Sequence, residues 1–325
     1  MNRTNLILIA LLAVQGACIG IQQLGGDEEV AVERGMLLED LDVDTVTKLV
    51  ITEGEGGDDK EVTLTKAAEG WVVGERWGAP ADGKKLDELL RELAALEIAD
   101  VVSTTGLHAV ELGVADGDFR KRVVLTDGGG ERTVFLGTSG RGSSTHARLG
   151  GADEVVAVRN FSTWRVNARP DGWVDRLVLD VPKDDVNGLT LTWPDAELSL
   201  TRTNATEEGA APWLLSDGER QAGVDDADVD ELLGKAAKLN ASKVLGELDG
   251  AASVGDELLR VTLETKGGTV SYALGEADEA NNFVIAKDGG RHLMQVGKWA
   301  VEKLLDASFD ALAPEVEADE GDPAE

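Results

Sequence analysis

Ser143, Ser144 and His146 crowd together at the end of the stretch GTSGRGSST, Gly137 to Thr145, and its continuation. Serine catalysis needs an orienting carboxylate and an oxyanion hole besides the serine and histidine, and sequence proximity supplies neither. The same stretch spaces Gly137 and Gly142 as a phosphate-binding loop would. Ser143 then stands where that motif requires lysine, and a strand-like run follows instead of a helix. A hairpin loop is the reading that fits. His108, His146 and His292 share no metal-binding spacing, and with one cysteine, Cys18, a thiolate zinc site is excluded. The acidic runs DGDF, DGGGE and GEADEANN lack the order of an EF-hand and fall where turns are expected. These patterns predict no catalytic residue, no cofactor-binding residue, no cofactor and no metal, and so no enzyme.

Tryptophan is the other chemically capable residue: there are seven, against one tyrosine. Trp71, Trp164, Trp213 and Trp299 fall at paired positions of an internal repeat, described below, and read as core anchors. Trp77, Trp173 and Trp193 have no counterpart and are the candidate contacts for a partner or ligand, through stacking on a sugar or plugging into a protein surface.

The charge balance narrows the classes of partner. Sixty-two acidic residues oppose 31 basic ones, for a formal net charge of −31. That surface repels phosphate backbones, so nucleic acid is not an expected partner. Hydrophobic residues make up 42% of the 325, enough for real cores.

The elements that must position these residues repeat. VTKLVIT (Val46–Thr52) and EVTLTK (Glu61–Lys66) alternate with period two, then GWVV leads to the helix KLDELLRELAAL, Lys85 to Leu96. Leu86, Leu89, Leu90, Leu93 and Leu96 share one helical face, and Asp82 is placed to cap it. KRVVLTD, ERTVFLG, THARLG and EVVAV are four further strand-like runs. The order then restarts: VNGLTLT, AELSLTR, PWLL, a helix capped by Asp225 with Val229, Leu232, Leu233, Ala236 and Leu239 on one face, then LLRVTLET and TVSYALG. This pattern predicts a duplication. The expected fold class is α+β: two tandem units, each a mainly antiparallel sheet covered by a Leu-rich helix, after an N-terminal transmembrane helix.

The expected organisation is a membrane anchor or signal segment over 1–26, an acidic tether over 27–44, repeats over 45–178 and 179–312, and an acidic disordered tail over 313–325. No charge occurs from Thr4 to Gly26, a run that spans about 35 Å as a helix, against a bilayer core of about 30 Å. Arg3 precedes it, and Asp27, Glu28 and Glu29 follow. That asymmetry predicts a single pass through the inner membrane with the C-terminal part periplasmic. Lipoprotein processing at Cys18, after Gly16 and Ala17, is the alternative, and a cleaved signal peptide is a third reading.

With the early strand pair, Trp71, the approach Pro80–Asp82 and the helix Leu86–Leu96 placed, the chain resembles a bacterial domain-of-unknown-function family, number 4340. The resemblance reaches from Val46 to about Leu312 if both repeats belong to it. It implies an association with gliding-motility-type ABC transporter components and carries no catalytic residue. The resulting expectation is a membrane-anchored, non-enzymatic accessory or scaffold that contacts ABC permease subunits. No Walker motif is present, so the chain is not the ATPase subunit. The alternative is a periplasmic ligand-binding module for polysaccharide or peptide.

Overall fold

The computed structural model describes residues 35–54, 59–203, 213–248 and 253–313. The expected anchor over 1–26, and the tail over 313–325 beyond its first residue, lie outside them. Among the described residues no helix is long and apolar enough to cross a membrane.

The fold is β-rich. Two large antiparallel sheets hold most of the residues that lie in regular elements, with few helices. The first sheet contains β1 (Lys48–Glu53), β2 (Lys60–Ala67), β3 (Gly70–Val73), β4 (Ala79–Pro80), β5 (Ile98–Ser103), β6 (Lys121–Asp127), β7 (Gly130–Ser139), β8 (Ser144–Leu149) and β9 (Val155–Arg159). Its spatial order is β4-β3-β2-β1-β6-β7-β8-β9-β5. Next come β10 (Leu177–Asp180), β11 (Val186–Trp193), β12 (Ala196–Arg202), β13 (Trp213–Ser216), β14 (Gln221–Val224), β15 (Lys238–Asn240), β16 (Lys243–Glu247), β17 (Glu257–Thr265), β18 (Gly268–Ala277), β19 (Asn282–Lys287) and β20 (His292–Gly297). The second sheet runs β14-β13-β12-β11-β17-β18-β19-β20-β16, while β10 pairs with β15 outside it. Position for position, the two nine-stranded orders are the same.

Each sheet packs its apolar face on one helix. In α1 (Gly83–Ala94) the side chains of Leu86, Leu89, Leu90 and Leu93 are buried among Leu49, Ile51, Val62, Leu125 and Val134 of the strands. Asp82 caps it, its carboxylate accepting from the Lys85 N–H at 3.1 Å. In α2 (Asp226–Ala237) Val229, Leu232, Leu233 and Ala236 do the same against Leu189, Leu191, Val261 and Leu263. The second unit then adds α3 (Lys298–Leu305) and α4 (Phe309–Leu312). Burying four such side chains per helix contributes about 1.5–3 kcal/mol each, which fixes the helix to its sheet.

The expected tether over 27–44 is folded in its last part. Leu37 and Leu38 are buried in the first core, and the Leu37 N–H donates to the Leu96 carbonyl at 2.7 Å. Two adjacent leucines repay ordering that the surrounding acids alone would not.

The two units touch. Val244 of β16 belongs to the core of the first unit, and His292 Nε2 donates to the Trp77 carbonyl at 3.0 Å.

Candidate functional site

The tryptophans sort differently from the sequence reading. Trp213 is fully buried, its indole N–H donating to Asp226 at 2.7 Å, and Trp71 packs half-buried against the first core. Trp164 and Trp299, expected as core anchors, are each 73% exposed. Both follow the ninth strand of their unit, Trp164 in the 3-10 turn Thr163–Arg165 and Trp299 in the first turn of α3. Their neighbours Val166, Ala300 and Val301 take the inward positions instead.

Of the three candidate contacts, Trp77 is 49% exposed in a left-handed conformation, φ 54°. Trp193 is half-buried against the second core. Trp173 is fully buried, so it is out of reach of any partner. Its indole N–H donates to the Asn167 carbonyl at 2.6 Å and the Lys85 ammonium lies 4.6 Å from its ring. Burial away from water pushes the Lys85 ammonium below the ordinary lysine range.

Trp164 stands where polar hollows meet. On one side a hollow of about 670 Å³ is lined by Glu53, Arg120, Lys121, Asn167 and Arg169. On the other, one of about 490 Å³ is lined by Ser139, Ser143, Ser144 and Asn160. Thr163 and Trp164 belong to both. Ser143, Ser144 and Asn160 continue into a third, of about 680 Å³, which adds Arg141, His146 and Arg159. The three hollows adjoin through shared lining residues and form a polar groove on the first unit, with the exposed indole bordering two of them. Arg165 braces that indole, its guanidinium 5.2 Å from the ring and paired with Glu88 and Glu92 of α1 at 2.8 and 2.6 Å. Hydrogen bonding to Glu88 raises the Arg165 pKa from its ordinary value.

Along the groove the bases Arg120, Lys121, Arg141, Arg159 and Arg169 outnumber the acids Glu53 and Asp100, against the balance of the whole chain. Glu53 is taken up by Lys121 at 2.9 Å, and Arg159 lies 3.7 Å from Glu97. Arg120, Arg141 and Arg169 are exposed, and their guanidinium groups have no partner among the described residues.

Ser143, Ser144 and His146 do come together here, but not as a nucleophile and its base. The Ser144 hydroxyl donates to the Arg141 carbonyl at 2.8 Å, and His146 Nδ1 is hydrogen-bonded to the Thr138 hydroxyl at 2.9 Å. A carboxylate at that nitrogen is what would hold the imidazole as a base. Gly137 to Thr145 joins β7 to β8 as a hairpin. Among the described residues no group of three or more His, Cys, Asp or Glu could hold a metal ion.

A model of the family described as a domain of unknown function (DUF4340) matches residues 71–259. The match starts in β3 and ends in β17, so it crosses from one sheet unit into the other and is shorter than the Val46–Leu312 span expected from the sequence. No curated protein and no solved structure matches the chain.

Proposed function

The chain belongs to the DUF4340 family of domains of unknown function, and from that premise and its geometry we propose a non-enzymatic binding protein whose first unit holds a linear acidic polysaccharide along the Trp164 groove. The observation that carries this reading is an indole 73% exposed where two polar hollows meet, the second of them sharing Ser143, Ser144 and Asn160 with a third, and three guanidinium groups along them that have no partner among the described residues. A sugar ring offers an apolar face to stack on the indole, hydroxyls for Ser143, Asn160 and Thr163, and carboxylates or phosphates for Arg120, Arg141 and Arg169. Burial is the ordinary fate of tryptophan, so one left bare between hydrogen-bonding walls marks a contact surface.

The test is binding of the full-length chain to polygalacturonate, with neutral dextran, polyglutamate and single-stranded DNA beside it. Polygalacturonate binding that weakens with salt and is lost in Trp164→Ala supports the reading. Equal binding of polyglutamate or DNA would replace it with a general polyanion site, and binding indifferent to Trp164 would remove it.

A second reading keeps the expected membrane-anchored accessory of an ABC-type transport complex in the periplasm. Trp299 favours it: this indole is 73% exposed on α3 and lines none of those hollows, with the Lys235 ammonium 5.0 Å from its ring. Bare tryptophan on a helix suits a protein hot spot. Crosslinking of the full-length chain in its native membrane, followed by mass spectrometry, decides it. A permease crosslinked through the Trp299 face supports the accessory role, and recovery of the chain alone counts against it.

The proposed origin of the two units is one duplication. The identical strand order, the paired caps Asp82 and Asp225, and the paired exposed indoles Trp164 and Trp299 support it. On this reading the second unit has kept the indole and lost the groove.

A further inference from the structure

A second recess lies between the two sheet units, apart from the Trp164 groove. Its volume is about 450 Å³, within the range of small-molecule sites, which favour such interfaces. The walls are apolar. Trp71 and Val72 come from β3, Leu177 and Val178 from β10, and Ile285 and Met294 from β19 and β20. Leu177 is 45% exposed there.

Two cations sit at one end. Lys287 and Arg291 flank the β19–β20 turn, whose residues between them are Asp288 and the side-chain-free Gly289 and Gly290. Neither cation has a side-chain partner among the described residues. Asp288, the acid beside them, is engaged by Arg260 at 3.1 Å and Ser271 at 2.5 Å. Glu69 is the carboxylate in the lining, and His292 is committed to the Trp77 carbonyl. Bases therefore outnumber acids around this recess, in a chain whose acids outnumber its bases two to one.

We propose that this cleft binds an acyl chain bearing an anionic headgroup, whether a free fatty acid or one chain of an anionic phospholipid, with the chain between Trp71, Leu177 and Met294 and the headgroup at Lys287 and Arg291. An apolar channel alone would take any alkyl chain. The paired, unneutralised cations at one end are what select an anion, since charge-assisted contacts are the strong ones.

The experiment photolabels the full-length chain, held in a detergent-free peptide belt, with diazirine-bearing dodecanoate, the matching alcohol, and phosphatidylglycerol carrying the same photogroup. Labelled positions are read by mass spectrometry. The acid or the phospholipid labels the peptides that contain Trp71, Leu177 and Met294, and the two arms tell a free fatty acid from a membrane lipid. Labelling falls by about tenfold or more in the double variant Lys287→Ala/Arg291→Ala and in Leu177→Asp, at an unchanged melting temperature. Labelling confined to other peptides overturns the site. Equal labelling by the alcohol, or labelling unmoved in the double variant, overturns the anionic headgroup.

Discussion

His292 Nε2 and the Trp77 carbonyl oxygen, 3.0 Å apart, form a direct polar link between the two sheet units. The imidazole is 9% exposed, on the first residue of β20. Trp77 ends a 3-10 turn in a left-handed conformation, and its carbonyl accepts from His292. Arg76, one residue earlier, fixes that turn through Asp171, Nη2 to Oδ2 at 2.8 Å. A bidentate ion pair on one side and an imidazole on the other hold a backbone conformation that a bulky residue rarely adopts.

Removing the imidazole leaves a part-buried carbonyl without its donor. His292→Ala is expected to cost about 1–2 kcal/mol and to lower the melting temperature by a few degrees in calorimetry. A melting temperature equal to the wild type would mean that solvent replaces the donor and that the other contacts between the units hold them, Val244 in the first core and the Ala241 N–H on the Arg176 carbonyl at 2.7 Å among them.

The Arg76 guanidinium holds the Asp171 carboxyl below the usual carboxylate range, chiefly through their hydrogen bond, which outweighs the opposing effect of burial and is helped by the attraction of their charges. A depressed folded-state pKa contributes stability that is present above the unfolded value and is lost as pH falls through the folded one. The stability gap between wild type and Asp171→Asn should therefore be constant at neutral pH and close as the pH drops below about 4. The side chain is 40% exposed, so solvent screening keeps the gap small. Urea midpoints against pH measure it, and a gap that widens on acidification contradicts the assignment.

Trp173 and Trp164 should separate stability from binding. Trp173→Ala opens a cavity in the first core, removes the hydrogen bond to Asn167 and strips the ring from beside Lys85, so about 3–5 kcal/mol of stability is expected to go. Trp164→Ala removes an exposed ring and should change the unfolding free energy, from urea titration, by no more than about 0.5 kcal/mol while abolishing polysaccharide binding. The opposite pairing of effects would put the groove in the wrong place.

Much of this fold is readable in the sequence, for a local reason. Leu86, Leu89, Leu90 and Leu93 fall on one helical face whatever the tertiary arrangement, and Asp82 caps from the adjacent residue. Strands β1, β2, β6 and β7 show their alternation in the same way. What escapes is set at long range. The edge strands β4 and β5 are short or weakly patterned, and β5 is placed by pairing with β9, far along the chain. Trp164 and Trp299 carry no local sign of exposure. Each starts a turn whose apolar neighbours take the core, so the register of that turn decides which side chain faces water. The groove around Trp164 is less legible still, because Arg120, Arg141 and Arg169 come from three separate loops.

Gly137 and Gly275 offer the sharpest test of the equivalence of the two units. A Cβ built on Gly137 in β7 would lie 1.9 Å from the Leu112 carbonyl oxygen, and one on Gly275 in β18 would lie 1.8 Å from the Val254 carbonyl oxygen. Neither glycine needs a left-handed backbone, so the constraint is contact alone. In both units the excursion ahead of the sixth strand of that unit lays its backbone on the same strand at the same place. Alanine at either position forces a backbone segment to shift, and overpacking of this kind costs about 1–3 kcal/mol or more. Gly137→Ala and Gly275→Ala should therefore destabilise by similar amounts, measured by urea unfolding, whereas Gly246→Ala, whose Cβ would meet nothing within 4 Å, should not. If Gly137→Ala were damaging and Gly275→Ala neutral, the second excursion would be free to move, and the close approach would be a feature of the first unit rather than one inherited by both.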